Sequence, residues 1–218
     1  LADAIPISGA IASNYFDDRS PMQTFDGTGL NTPADPNDPT LFTNTGGANN
    51  FAQQENWLAD ARTANGQPPL ADHWIAYDLG SVQSIDVMNI FNLGVSTGGN
   101  NARGANDISI YYRADSSFGG NADRSDATFD NNGWTLFADT TLSIGSIADT
   151  TGALPPDAFD LGGVMASNVA IDVLTTHGDA NFIGLGEVQF FNAVPEPGAS
   201  TMLLVGLAMI AAMRRKND

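Results

Sequence analysis

Apolar residues recur at every second position in several short stretches of this 218-residue chain. Ile108, Ile110 and Tyr112 alternate with Asp107, Ser109 and Tyr111. Val169, Ile171 and Val173 alternate with Ala170 and Asp172. Val188 and Phe190 alternate with Glu187 and Gln189. A period of two puts one set of side chains on one face, so each stretch predicts a strand with a core side and an outer side. Residues 74–79 and 85–93 are strand-like as well, the second apolar on both faces. Residues 134–137, 142–147 and 158–161 add shorter segments. Turn-rich pieces separate them at 78–81, 96–104, 116–133 and 149–156. About eight short strands at this spacing predict an all-β, antiparallel sandwich. Residues 51–64 read as a short helix around Trp57 and Leu58. Pro33, Pro36 and Pro39 exclude a central strand in the stretch before it. No internal repeat of the length that builds solenoids is apparent.

Composition agrees with a loop-rich sandwich. Of the 25 acidic residues only Glu55, Glu187 and Glu196 are glutamate; the other 22 are aspartate, which favours turns and caps over helices. Glycine occurs 23 times and proline 11 times. Charge is lopsided. Residues 1–197 carry 24 acids against Arg19, Arg62, Arg103, Arg113 and Arg124, a net of −19. Such a surface repels phosphate backbones, so nucleic acid is not an expected partner. It is compatible with bound divalent cations, or simply with solubility. With no cysteine there is neither a disulfide nor a thiolate metal site. Ala2-Asp3-Ala4 fits the small-x-small pattern before a signal-peptidase cut, so residues 1–4 read as a signal-peptide remnant; an arbitrary start is the alternative.

Several pieces stand in one order. Ala12-Ser13 and Thr24-Phe25-Asp26-Gly27 come first, then Trp57, then His73-Trp74-Ile75-Ala76-Tyr77-Asp78-Leu79-Gly80. Arg103-Gly104 and the 108–112 strand come next, and Gly184-Leu185-Gly186-Glu187-Val188-Gln189-Phe190-Phe191 closes the series. In this order the chain resembles the discoidin family, the coagulation factor V/VIII type C domains, over residues 7–192. The resemblance implies a jelly-roll β-sandwich spanning 5–192. It also implies a structural Ca²⁺ between the Asp-Gly loop and the glutamate of the last strand, with Asp26, Thr28 and Glu187 as ligands. Hard oxygen donors in a tight loop suit that ion. The alternative is a turn cap at Asp26 and a solvent-facing Glu187. The loop before the last strand is where related modules contact ligand, which makes His177 and Asp179 candidates. Arg103 and Trp134 complete the candidate set. Trp57 and Trp74 match packing positions, His73 is expected to pack at a strand edge, and Tyr111 is expected to face outward. The longer stretches between Gly27 and Trp57 and across 118–132 depart from the family, so ligand identity does not carry over.

The end of the chain differs from everything before it. Pro195, Glu196 and Pro197 precede 16 uncharged residues, 198–213, and then Arg214, Arg215 and Lys216. This tail, 193–218, resembles the PEP-CTERM sorting signal, in which a membrane peptidase, exosortase, processes the tail during export. As a helix, 198–213 would reach about 24 Å, short of the ~30 Å hydrocarbon core. Snorkelling of the three cations closes that gap and keeps them on the cytoplasmic side. The alternative is a C-terminal core helix. The tail therefore predicts transient anchorage in the inner membrane, with the sandwich outside, and then delivery to the cell surface or extracellular matrix.

Catalytic signals are poor. There is no phosphate loop or His-Glu-x-x-His motif, and two scattered histidines do not make a zinc site. No catalytic residue is expected. The expected role is non-catalytic binding, with carbohydrate or exopolysaccharide as the ligand. A structural matrix or adhesion protein without a small-molecule site is the alternative, and a glycan-active enzyme is the third reading.

Overall fold

The computed structural model describes residues 4–25, 56–93, 100–115, 133–144 and 156–192. These form eight strands joined by loops and short 3₁₀ turns, with no α-helix among the described residues. The strands are β1 (Ala4–Ile5), β2 (Gly9–Ala12), β3 (Trp57–Asp60) and β4 (His73–Asn92). Then come β5 (Asp107–Arg113), β6 (Thr135–Thr141), β7 (Asp157–Val173) and β8 (Phe182–Phe191). Every pairing is antiparallel, in the order β1-β8-β4-β7-β5-β6, with β2 on β4 and β3 on β8.

Two long strands make this path into a sandwich. The first part of β4 pairs with β2 and with 168–173 of β7; the second part pairs with β8 and with 157–166 of β7. Register slips between Asp78 and Gln83 mark where β4 leaves one layer for the other. The same device sits at that bend and in β7. Asp78 Oδ1 accepts the Gly80 amide at 2.8 Å, and Asp160 Oδ1 accepts the Gly162 amide at 2.9 Å. Gly80 and Gly162 have φ of 73° and 61°, a conformation that costs other residues energy. Leu79 and Leu161, between each acid and its glycine, are both buried in the core. Sequence reading separates 74–79 from 85–93, and 158–161 from 169–173, because Asp-Leu-Gly looks like a stop. In the fold it is a bend within a continuing strand.

The core fills the space between the layers. Ile75, Ile171 and Ile110 lie in register across β4, β7 and β5, as do Tyr77, Val169 and Tyr112. They pack against Ile85, Met88, Ile90, Val188 and Phe190. A second, smaller apolar cluster joins Trp74, Ala76, Tyr111, Trp134 and Ala170 on the other face of the first layer. Tyr111, expected to face outward, is therefore buried, because that face carries its own packing.

Two expectations are corrected by the fold. The helix around Trp57 is instead β3, paired from Trp57↔Leu185 to Asp60↔Phe182. All four of its residues are buried, so it shows no alternation to read. Leu142 to Ile144 lie past the end of β6 rather than in a further strand, although Leu142 is buried and its amide donates to the Asn106 carbonyl. Residues 145–147, the prolines at 33–39 and the tail at 193–218 lie outside the described residues.

Candidate functional site

One end of the sandwich gathers three of the four candidate ligand residues. The turn carrying Arg103 and the loop carrying His177 and Asp179 are laced together by main chain. The His177 amide donates to the Gly104 carbonyl at 3.1 Å, and the Asp179 amide to the Ala102 carbonyl at 3.0 Å. A Cβ on Gly104 would lie 2.8 Å from Asn92 Oδ1, so only glycine lets this turn come so close to β4. Asn92 works as a hub. Its amide nitrogen donates to the carbonyls of Ala105 (2.6 Å) and Ser143 (2.9 Å), and His177 Nε2 lies 3.4 Å away.

Arg103 Nε donates to Asp179 Oδ2 at 2.9 Å. The other oxygen of Asp179 accepts the amides of Asn181 (2.7 Å) and Phe182 (3.2 Å), which fixes the carboxylate at the start of β8. The Arg103 guanidinium lies 4.5 Å from the centre of the Phe182 ring. A second pair meets the same ring. Arg62 donates through Nε and Nη2 to the two oxygens of Asp60, at 2.8 and 2.7 Å, and its guanidinium lies 4.8 Å from the Phe182 centroid. It is also 5.3 Å from the Phe16 ring, which meets Phe182 edge-on. The Arg62 hydrogen bond holds the Asp60 carboxyl below the ordinary carboxylate range, against the burial that raises it. Arg19 joins this end: burial and the nearby Arg103 charge lower its pKa, while Asp17 opposes them. Three of the five arginines in residues 1–197 thus converge here.

Trp134 is not part of that gathering. It precedes β6, beside the far end of β5, packed with Trp74 and Tyr111 and covered by the Arg113 guanidinium at 5.4 Å. Arg113 in turn pairs with Asp115. Sequence reasoning missed Arg62, Asp60 and Phe182. The one available signal was Asp60-Ala61-Arg62, whose i, i+2 spacing puts acid and base on one side of an extended chain.

Glu187 is buried at 4% exposure, not solvent-facing. Its charge acts on Tyr77: burial pushes that phenol well up, a contact with Thr24 opposes the rise, and Glu187 adds to it. The Tyr77 hydroxyl donates to Thr24 Oγ1 at 3.0 Å, and the Thr24 hydroxyl donates to the Pro21 carbonyl at 2.7 Å. Phe25, the next residue, meets the Tyr77 ring edge-on. The buried carboxylate therefore lies within electrostatic reach of the segment that leads into Asp26. Asp26 and Thr28 themselves lie outside the described residues. Among the described residues no three acids or histidines gather as a metal site.

Comparison with known proteins adds two findings. A PEP-CTERM protein-sorting motif matches residues 193–216. The sandwich has the discoidin-like fold. It superposes on a family 32 carbohydrate-binding module of C. perfringens NanJ in complex with galactose (TM-score 0.53, 15% identity, 88% of this chain and 100% of that one). It also matches the family 32 module of AlyQ in complex with 4,5-unsaturated mannuronic acid (TM-score 0.51, 14% identity, 88% and 99%). An F5/8 type C domain from Bacteroides fragilis matches at a TM-score of 0.51, with 14% identity over 88% and 96% of the two chains. No curated protein matches the chain in sequence. Among the described residues no helix is long and apolar enough to cross a membrane, and 198–213 is not among them.

Proposed function

We propose that this chain is an exported surface or matrix protein whose discoidin-like sandwich binds carbohydrate without catalysis. The observation that carries the reading is the gathering of the Arg103–Asp179 and Arg62–Asp60 pairs around Phe182, with His177 on the loop laced to the Arg103 turn. Sugars are recognised by groups that donate and accept at once around a ring of hydroxyls. Paired guanidinium and carboxylate groups held by main chain supply both. The likeness to modules solved with galactose and with a mannuronic acid supports the ligand class. In this reading the tail engages an exosortase-type peptidase, holds briefly in the inner membrane through 198–213, and is removed as the sandwich reaches the surface.

Retention of the protein on polysaccharide gels or a glycan array tests the binding. The wild type is expected to be retained, and Arg103→Lys or Asp179→Asn to lose at least about tenfold in affinity, since a hydrogen bond to a charged group contributes roughly 1.5–3 kcal/mol. No retention on any glycan, with calcium or with chelator, overturns the reading in favour of a purely structural matrix protein. For the tail, a surface fraction that still carries residues 198–213 overturns processing.

The reading includes a structural Ca²⁺ held by Asp26, Thr28 and Glu187. Glu187 is buried within electrostatic reach of the segment that leads into Asp26, and hard oxygen donors from that loop and this carboxylate would suit the ion. Bound Ca²⁺ stabilises the folded state by mass action, so calcium is expected to raise Tm and Glu187→Gln to abolish the rise. A wild type whose Tm ignores both calcium and chelator shows that no such ion is bound.

A further inference from the structure

Carbohydrate binding does not by itself say which sugars this end takes, and any selectivity among them rests on that proposed function. Charges here come in matched pairs. Asp60 holds the Nε/Nη2 edge of Arg62, and Asp179 holds Nε of Arg103. Both acids are anchored by main chain, Asp60 through the Arg62 amide at 3.0 Å and Asp179 through Asn181 and Phe182. Asp60 stands opposite Phe182 in the β3–β8 register, and both guanidiniums lie against that ring. The two pairs therefore belong to one surface. Side-chain exposure is 34% at Arg62, 18% at Asp179 and 16% at Arg103, and falls to 11% at the buried Asp60, so a ligand enters chiefly against the two arginines and Asp179.

We propose that Asp60 and Arg62 form a second sugar-contacting arm beside Asp179 and Arg103. The two arms together select uncharged, hydroxyl-rich sugars over uronates and sulfated sugars. An arginine recognises a carboxylate or sulfate through two parallel N–H groups. Here the Nε/Nη2 fork of Arg62 is already turned to its own aspartate. An incoming anion meets Asp60 and Asp179 as closely as it meets the guanidiniums, and behind them residues 1–197 with 24 acids against five arginines. A hydroxyl has no such conflict, because it donates to a carboxylate oxygen and accepts from a guanidinium N–H. Two adjacent hydroxyls satisfy the acid and the base of one pair together. With a pair on each arm, a short oligosaccharide gains contacts that a monosaccharide lacks.

The test is affinity electrophoresis of the full chain through gels holding neutral galactan or mannan, alginate, pectate, or dextran sulfate, each at low and high salt. Retention is expected on a neutral glycan, equally at both salts, because hydrogen bonds between a neutral ligand and paired charges are little screened. Arg62→Lys and Asp60→Asn are each expected to weaken it by at least about tenfold while leaving Tm near that of the wild type. Retention on alginate, pectate or dextran sulfate that fades with salt overturns the selectivity and leaves carbohydrate binding standing. Neutral-glycan retention unchanged in both variants overturns the second arm. If no glycan is retained, the carbohydrate reading fails and this inference fails with it.

Discussion

His73 is buried at the start of β4 with both ring nitrogens engaged. Nδ1 is 3.0 Å from Ser13 Oγ, and Nε2 is 3.3 Å from the Pro68 carbonyl. A carbonyl only accepts, so Nε2 carries the proton and Nδ1 accepts from the Ser13 hydroxyl, whose oxygen takes the Trp74 amide. Burial lowers the His73 pKa below 6.5, against the Pro68 carbonyl and the charges of Asp72 and Asp60 that raise it. The unfolded chain therefore takes up the proton more readily than the folded one. Stability from this group is complete above the unfolded value and is lost as pH falls below 6.5 toward the folded value. Tm is expected to drop between neutral and mildly acid pH, with a shallower slope in His73→Gln. Equal slopes in the two proteins refute the assignment. The sequence placed His73 at a strand start but carried no sign that it was buried, because burial depends on Ser13 and Pro68 arriving from other segments. The sequence singled out Arg103, Asp179 and His177 through a resemblance, and only the fold shows that their segments meet at one end. Arg62 was not singled out, because its value comes from a ring 120 residues further along the chain.

At the level of elements, alternation in the sequence found β5 and the second half of β7, although the fold covers both of their faces. β5 and the second half of β7 follow the period of two closely. β3 does not: its four residues, Trp57-Leu58-Ala59-Asp60, are apolar at the first three positions and all buried. The long strands were legible in pieces only. Asp78-Leu79-Gly80 uses turn chemistry at the change of layer in β4 and Asp160-Leu161-Gly162 uses it at a bulge within β7, and composition does not distinguish these from a strand's end. Replacement tests the bends. Gly80→Ala and Gly162→Ala are each expected to cost about 1–2 kcal/mol, from the left-handed conformation alone. Gly80→Ala falls at the upper end, because its Cβ would meet Ser8 Oγ at 2.6 Å, whereas Gly162 has open space around it. Denaturant midpoints measure both. Losses near zero at both sites show that the bends do not need the glycines.

For the whole molecule, fold class was the most legible property and ligand identity the least. Strand spacing and aspartate-rich turns are properties of the chain itself, whereas selectivity depends on side chains brought together from β3, the turn at 103 and β8. The boundary of the sandwich is testable. Phe191 still pairs with Ala4 and Val87, so ending the chain after Asn192 keeps every strand whole. Such a truncated protein is expected to keep its Tm to within about 2 °C, the shift that under 1 kcal/mol produces in a domain of this size. A larger fall shows that the sorting segment packs on the sandwich. The direction of β8 then sets how the molecule is presented. The strand starts at Phe182, beneath the arginine pairs, and runs ten residues to Phe191, just before the sorting motif. That is about 30 Å of extended chain. A chain held at its C-terminal end carries the arginine pairs at the opposite end of β8, a strand's length from Phe191.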